Sequence, residues 1–267
     1  MSPMRPLVVK LGGRPQGDPA LPGVLAALWR AHPGEVVLVH GGGDQISALQ
    51  QLRGETPTFV GGRRVTTEGV LELVRMVLSG LANKQLVSAL VAAGAAAVGI
   101  SGEDAGLLRA TPIDVATFGF AGTPSQVDPG VVRALLASAY LPVISPVAAR
   151  PAGEPGGAYN VNGDDAAAAI AAALGARELF LLADVPGVLD AQKARIAQLT
   201  LADAEALVAS GVAGGGMAAK LEACAQALAG GVSRVRIGDL AALSVPDAGT
   251  AIVARADATP GMGDPTA

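Results

Sequence analysis

The sequence predicts an α/β protein in which helices cover a mostly parallel sheet, and three observations carry that reading. Short β-branched runs alternate with longer segments of helical period, the pattern of parallel strands joined by crossover helices. Glycine-rich turns follow directly on two of those runs. Of the 267 residues, 51% are hydrophobic and 16% charged, far too apolar a balance for a disordered chain. This length allows one large α/β domain or two modest lobes, either with a substantial core.

Strands are expected at about Leu7 to Lys10, Val36 to His40, Ala96 to Ile100, Leu141 to Ser145, Leu179 to Ala183 and Arg234 to Ile237, with a shorter one at Ala251 to Val253. Between Thr67 and Val91 the apolar residues Val70, Leu73, Val74, Val77, Leu78 and Leu81 recur every three or four positions, which puts them on one stripe of a helix. Thr66 or Thr67 is its natural cap, and Glu68 suits the positive end of its dipole. Two stretches break the rhythm. Thr58 to Thr66 holds Gly61-Gly62 between β-prone residues, and Thr111 to Gly122 sets Val115, Phe118 and Phe120 among polar positions; both read as antiparallel hairpins. The turn-forming segment Ala149 to Gly157 reads as the boundary between a larger first lobe and a smaller second one. The tail beyond Val253 has no periodicity and is expected to fray.

Composition narrows the partners. The 36 Gly and 18 Pro show no collagen period, and 19 basic against 23 acidic residues leave a net charge of −4 with no basic run. Nucleic acid and anionic membranes are therefore disfavoured. The longest apolar stretch, Ala89 to Ile100, falls well short of the roughly 18 to 20 residues of a membrane helix. The chain enters a strand within a few residues and shows no leader, so a cytoplasmic location is expected. A single Cys224 beside His32 and His40 permits neither an internal disulfide nor a zinc or haem spacing, and the cysteine reads as a small buried hydrophobe.

Walker, dinucleotide-binding, nucleophile-elbow and zincin motifs are all missing. What remains is a set of glycine turns at strand ends. Lys10-Leu11-Gly12-Gly13 ends the first strand; His40-Gly41-Gly42-Gly43 ends the second, with a helix expected from Asp44. Ligands of open parallel sheets bind beyond the carboxyl ends of strands, where bare backbone N–H groups approach an anion closely. Either pair alone is also an ordinary β-to-α turn. A lysine in a strand needs an anionic partner, which makes Lys10 more pointed. Farther along, Asn160 and Asn162 should share one face of a short strand, and Asp164 stands where a helix N-cap is expected before the alanine-rich run Ala166 to Leu174. Gly214-Gly215-Gly216 leads into another helix with Lys220 about one turn in, where the dipole disfavours a lysine unless phosphate shares the site.

In this order and spacing, the segments KLGG, VHGGG, GRRVT, NVNGD, LLADVPGVLD and GGMAAK resemble the amino acid kinase family, and within it the branch that phosphorylates N-acetyl-L-glutamate in arginine biosynthesis. The resemblance runs from about Leu7 to Val253, and its motifs are specific as a set while weak singly. It implies a three-layer αβα sandwich, an N-terminal lobe (1–150) for the acyl amino acid and dimerisation, and a C-terminal lobe (151–267) for ATP. Mg²⁺ would arrive with the nucleotide, without a tightly bound cofactor or a protein metal site, and the expected assembly is a homodimer. Relatives inhibited by arginine carry an additional N-terminal helix; here the first strand starts by Leu7, which leads us to expect an arginine-insensitive dimer.

By the same resemblance, Lys10 and Lys220 clamp the migrating phosphoryl and Asp164 holds both ammonium groups. Gly42, Gly43, Arg64 and Asn160 would bind the acyl amino acid, with Arg64 on its α-carboxylate. Gly12, Gly13, Asn162, Asp184 and Gly216 would serve the phosphates and nucleotide. Alternation along the hairpin predicts that only one of Arg63 and Arg64 points inward, and Arg64 is favoured. A kinase of carrier-linked aminoadipate or glutamate, and a catalytically silent amino acid sensor on the same fold, remain open as alternatives.

Overall fold

The β-branched run that starts the chain becomes strand β1 (Leu7–Leu11), and β-rich segments of the same kind give β2 (Val36–His40), β5 (Ala97–Ser101), β8 (Leu141–Ser145), β11 (Glu178–Leu182), β13 (Arg234–Gly238) and β14 (Thr250–Val253). Each lies within a residue of its expected position. The structure, a computed structural model, describes residues 5–254, so most of the tail expected to fray lies outside the described residues. Among the described residues these strands join β12 (Gln198–Thr200) in one sheet of order β12-β14-β13-β11-β1-β2-β8-β5. All neighbours are parallel except β13 and β14.

Alternation along the central strands builds two cores. Leu7, Val9 and Leu11 face helix α1 (Leu21–Ala31), whose Leu21 and Leu25 are fully enclosed. Val8 shares the opposite core with Val37 and Val39 of β2 and with three helices: α6 (Gly130–Ala137), α7 (Gly163–Leu174) and α9 (Gly216–Ala229). The result is the three-layer sandwich. Lys10 has the parity of Val8, so strand geometry alone aims it at the α7 and α9 side.

Helix α2 (Gly43–Leu52) follows the second glycine turn. The long helical run then divides into α3 (Glu68–Val74), a π-helical segment (Arg75–Ala82) and α4 (Asn83–Ala92), with Thr67 as the cap accepting from the Val70 N–H. The wider π turns rotate the apolar stripe. Leu81, expected on the buried face, is 52% exposed, while Ala82, Asn83 and Leu86 turn inward.

The first expected hairpin forms as β3 (Phe59–Val60) and β4 (Arg63–Arg64), joined by Gly61 and Gly62 at φ of 55° and 77°. A two-residue turn with both central residues left-handed matches strand twist, and glycine adopts it without steric cost. The second expected hairpin has different arms. β6 (Leu108–Pro112) pairs antiparallel with β7 (Ala121–Val127), while Val115 and Phe118 occupy the short helix α5 (Val115–Phe118) capped by Asp114. The Asx cap competes successfully with strand propensity there.

The segment Ala149 to Gly157, expected at the boundary between lobes, links two paired strands: β9 (Val147–Ala149) runs antiparallel to β10 (Ala158–Val161). β10 also pairs with β7, so the start of the second half folds back onto the first, and these four strands close on themselves. Helix α8 (Leu201–Ala209) begins with a reciprocal capping box between Thr200 and Asp203. Thr200→Ala should cost about 1 kcal/mol, a fall in Tm of roughly 2–4 °C by differential scanning calorimetry, and leave the site residues below untouched.

Candidate active site

Helix α7 opens beside the carboxyl end of β1, and its first turn carries the anionic group that Lys10 requires. Asp164 is 5% exposed, and Lys10 Nζ lies 2.8 Å from its Oδ1. Lys220, from the second turn of α9, donates to both oxygens at 3.2 and 3.0 Å. One buried carboxylate thus holds two ammonium groups from separate elements. Burial pushes the Asp164 carboxyl up, but the two lysines more than offset this and hold it below the usual range. Burial lowers the Lys10 ammonium from its ordinary value; Asp164 opposes that fall and the nearby Lys220 adds to it.

Asp164 is not the helix cap that the sequence suggested. Asn162 takes that place, its Oδ1 accepting from the Asp164 N–H at 2.8 Å, which leaves the aspartate's own carboxylate available to the lysines. Gly163 between them lies against the Lys10 stem: a Cβ there would meet Lys10 Cε at 3.1 Å.

Two clefts border this cluster. The first is lined by Gly42, Gly43, Arg63, Arg64, Asn160, Asn162 and Gly163 among others. The second is lined by Lys10, Gly12, Gly13, Asp44, Asp184 and Lys220 together with Pro15, Leu182 and Ala183. Asn162, expected with the nucleotide group, therefore lies in the first cleft, drawn there by its capping bond. Gly216 begins α9 and lines neither cleft. Gly12 donates its N–H to Leu182 O, and a Cβ on it would stand 2.7 Å from that oxygen, so only glycine lets the first turn pack against β11.

Arg64 is buried and anchored to α2: Nη1 donates to Gln50 Oε1 at 2.5 Å, and Nη2 donates to Gly43 O and Ser47 Oγ, each at 2.8 Å. Its guanidinium also lies 4.6 Å above the Phe59 ring. Two of its three nitrogens are thus engaged in the protein. Burial lowers it from the usual arginine value, and Asp44 partly offsets that. Gly43, Ser47 and Gln50 are spaced four and three apart on one helix face, a signal present in the sequence and passed over. Arg63 does not point away as alternation suggested: it lines the first cleft and pairs with Asp165 at 2.7 Å.

Beneath the second glycine turn, His40 is fully buried, its Nδ1 donating to Gly41 O at 2.8 Å and its Nε2 accepting from Asn83 at 3.1 Å. Burial lowers its pKa, in keeping with a neutral ring that accepts on Nε2. Asn160 donates to Thr66 Oγ1, tying β10 to the end of the hairpin. Cys224 is buried, and burial pushes its thiol up, consistent with an inert hydrophobe. No described helix is long and apolar enough to cross a membrane.

Comparison with known proteins bears on this geometry. The model of the amino acid kinase family matches residues 5–239. A curated acetylglutamate kinase from Dinoroseobacter shibae is 43% identical over 229 residues, 85% of this chain and 78% of that protein. Another, from Sulfurovum sp., is 42% identical over 237 residues, 87% and 83% of the two chains. Among solved structures, smu.665 from Streptococcus mutans UA159 superposes with a TM-score of 0.82 at 27% identity, covering 93% of this chain and 98% of that one. An N-acetylglutamate synthase from Neisseria gonorrhoeae, complexed with coenzyme A and N-acetyl-glutamate, gives 0.79 at 25% identity over 95% of this chain and 61% of that one.

The depressed Lys10 pKa gives a pH test. A lowered value means that Lys10 loses its proton at a lower pH than an ordinary lysine, and with it part of the positive charge of the second cleft. Affinity for inorganic pyrophosphate should therefore decline early on the alkaline side. Lys10→Arg, which stays protonated throughout, should move that decline upward in calorimetric titrations at stepped pH.

Proposed function

The chain belongs to the amino acid kinase family, and on that premise we propose that it transfers the γ-phosphoryl of ATP to the side-chain carboxylate of N-acetyl-L-glutamate, giving N-acetylglutamyl 5-phosphate and ADP in arginine biosynthesis. The observation that carries this reading is the pair of ammonium groups on Asp164 at the junction of two glycine-walled clefts. The named relatives, alike over most of their length, support the acceptor.

An acceptor carboxylate with a pKa near 4 is already ionised at neutral pH, so no general base is needed. The barrier is electrostatic: an anion must approach a polyphosphate through a loose, charge-rich transition state. In this reading the acyl amino acid occupies the first cleft, its α-carboxylate at Arg64, its amide at Asn160 and its reactive carboxylate near the N–H groups of Gly42 and Gly43. MgATP occupies the second cleft as substrate, its phosphates at Gly12 and Gly13, Asp184 toward the ribose and adenine, and Mg²⁺ carried by phosphate oxygens and water. Lys10 meets the phosphoryl from the acceptor side and Lys220 from the leaving side. Asp164 keeps both ammonium groups on station and touches neither substrate. The division into an acceptor half, 1–150, and a nucleotide half, 151–267, is crossed at the site: the acceptor cleft also draws on Asn160 from the second half, and the nucleotide cleft on Lys10, Gly12 and Gly13 from the first.

The acidic balance of the chain gives little to a carrier-protein partner, and a silent sensor has no use for a phosphoryl clamp. ADP release measured side by side with acetylglutamate, glutamate, aspartate and aminoadipate tests the reading, with acetylglutamate expected to be the preferred acceptor. Lys10→Ala and Lys220→Ala should each lower turnover about a hundred- to thousandfold with little change in acetylglutamate KM. Arg64→Lys should chiefly raise that KM. Unchanged turnover in both lysine variants would remove the mechanism.

We also place the enzyme in the cytoplasm as a homodimer. A groove lined by Leu81, Ala89 and Ala92 beside Lys84 and Gln85, and the edge of β5, which among the described residues pairs only with β8, support contact with a second copy. Light scattering should return twice the chain mass.

A further inference from the structure

The hairpin of β3 and β4 pairs with no other strand among the described residues, yet it carries the guanidinium assigned to the acceptor. Just past β4, Thr66 exchanges backbone hydrogen bonds with Phe118 and Phe120, and side chains hold the strands themselves. Arg64 ties it to α2, as described, and Arg63 reaches the other way, its Nη1 donating to Asp165 Oδ2 at 2.7 Å across the sequence from hairpin to α7. The Asp165 side chain is 3% exposed and that of Arg63 is 26% exposed. Asp165 is not needed to start the helix, since Asn162 caps it. It follows Asp164 directly and lies within electrostatic reach of Glu222, so it adds a like charge to the lysine-binding carboxylate. A buried carboxylate in that position is tolerable only if something compensates it. Arg63, from the acceptor side of the cleft, supplies the hydrogen-bonded cation that offsets part of this cost, while burial still pushes the Asp165 carboxyl up.

We propose that the Arg63–Asp165 ion pair is a positioning strap that fixes the acceptor-gripping hairpin relative to the aspartate organising the two ammonium groups, and thereby sets which acceptor chain length reaches the phosphoryl. The proposal rests on the kinase reading above. Arg64 and Asp164 belong to different elements, and Arg63 and Asp165 are their immediate chain neighbours, so the pair acts at one residue's remove from both. A displacement of about 1 Å between reacting groups can cost a hundredfold in rate. Acceptors that differ by one methylene differ in reach by about that amount.

The test uses the whole 267-residue chain, with turnover measured at saturating MgATP on N-acetylglutamate, N-acetylaspartate and N-acetylaminoadipate. Arg63→Leu and Asp165→Asn should each lower kcat on N-acetylglutamate about 10- to 100-fold while ATP KM changes less than about twofold. Preference for N-acetylglutamate over the shorter and longer acceptors should shrink by about tenfold. The double variant should be no worse than the poorer single one, because both remove the same contact. Arg63→Lys, which keeps an ion pair, should recover part of both rate and preference. A merely structural pair would lower the Tm and leave the acceptor preference unmoved, and that result overturns the proposal, as do multiplying defects in the double variant. If Asp165→Asn fails to fold, Arg63→Leu against Arg63→Lys decides through the preference ratio. Absence of turnover in the wild-type chain would sink the kinase reading itself, whereas an active wild type with an unaltered Arg63→Leu would sink the strap alone.

Discussion

Everything in the molecule is arranged around a carboxylate that binds two ammonium groups out of water. Alone, a carboxylate as buried as Asp164 would take up a proton, and an ammonium as buried as Lys10 would lose one. Together the three groups carry one surplus positive charge at the edge of the second cleft. Such a site is incomplete without an anion. Its donors are fixed before any ligand arrives, so no reorganisation is needed when charge develops on a migrating phosphoryl.

Topology decides why this cluster forms where it does. β1 sits between β2 and β11; the chain winds outward on one side through β8 and β5 and on the other through β13 and the outer strands. Crossovers diverge at that point and leave a crevice at the carboxyl ends, the place where open α/β sheets bind ligands. The glycine turns after β1 and β2 flank it. Alternation then sends Lys10 to the α7 and α9 face, and both helices begin there, one bringing Asp164 and the other Lys220.

Features set by local chemistry were legible in the sequence: the β-branched strands, the glycine turns at their ends, the turn of the first hairpin, and the misplaced charges of Lys10 and Lys220. Features set by competition between neighbouring groups were not. Leu81 fits the apolar stripe by spacing, yet the π turns before it rotate it outward. Asn162 and Asp164 are both good caps, and only the second lysine explains why the asparagine takes the role and frees the aspartate. Val115 and Phe118 favour strands, but Asp114 starts a helical turn beneath them. Simple alternation favours Arg64 alone and ignores that a long side chain on a two-residue strand, such as Arg63, can reach around to a buried carboxylate on another element.

In the proposed reaction, charge repulsion sets where the cations must stand. Two unit charges of like sign at 4 Å repel by about 4 kcal/mol near a protein surface, and an acceptor carboxylate meets several such charges on a triphosphate. Cations offset that repulsion only if they lie between and beside the reactants rather than behind them. Lys10 stands at the edge of the second cleft with its stem against Gly163, where a Cβ would come within 3.1 Å of the lysine Cε and oblige that side chain to give by a few tenths of an ångström. In the proposed reaction, the bare α-carbon of Gly163 leaves the Lys10 stem its room beside the carboxylate that holds it.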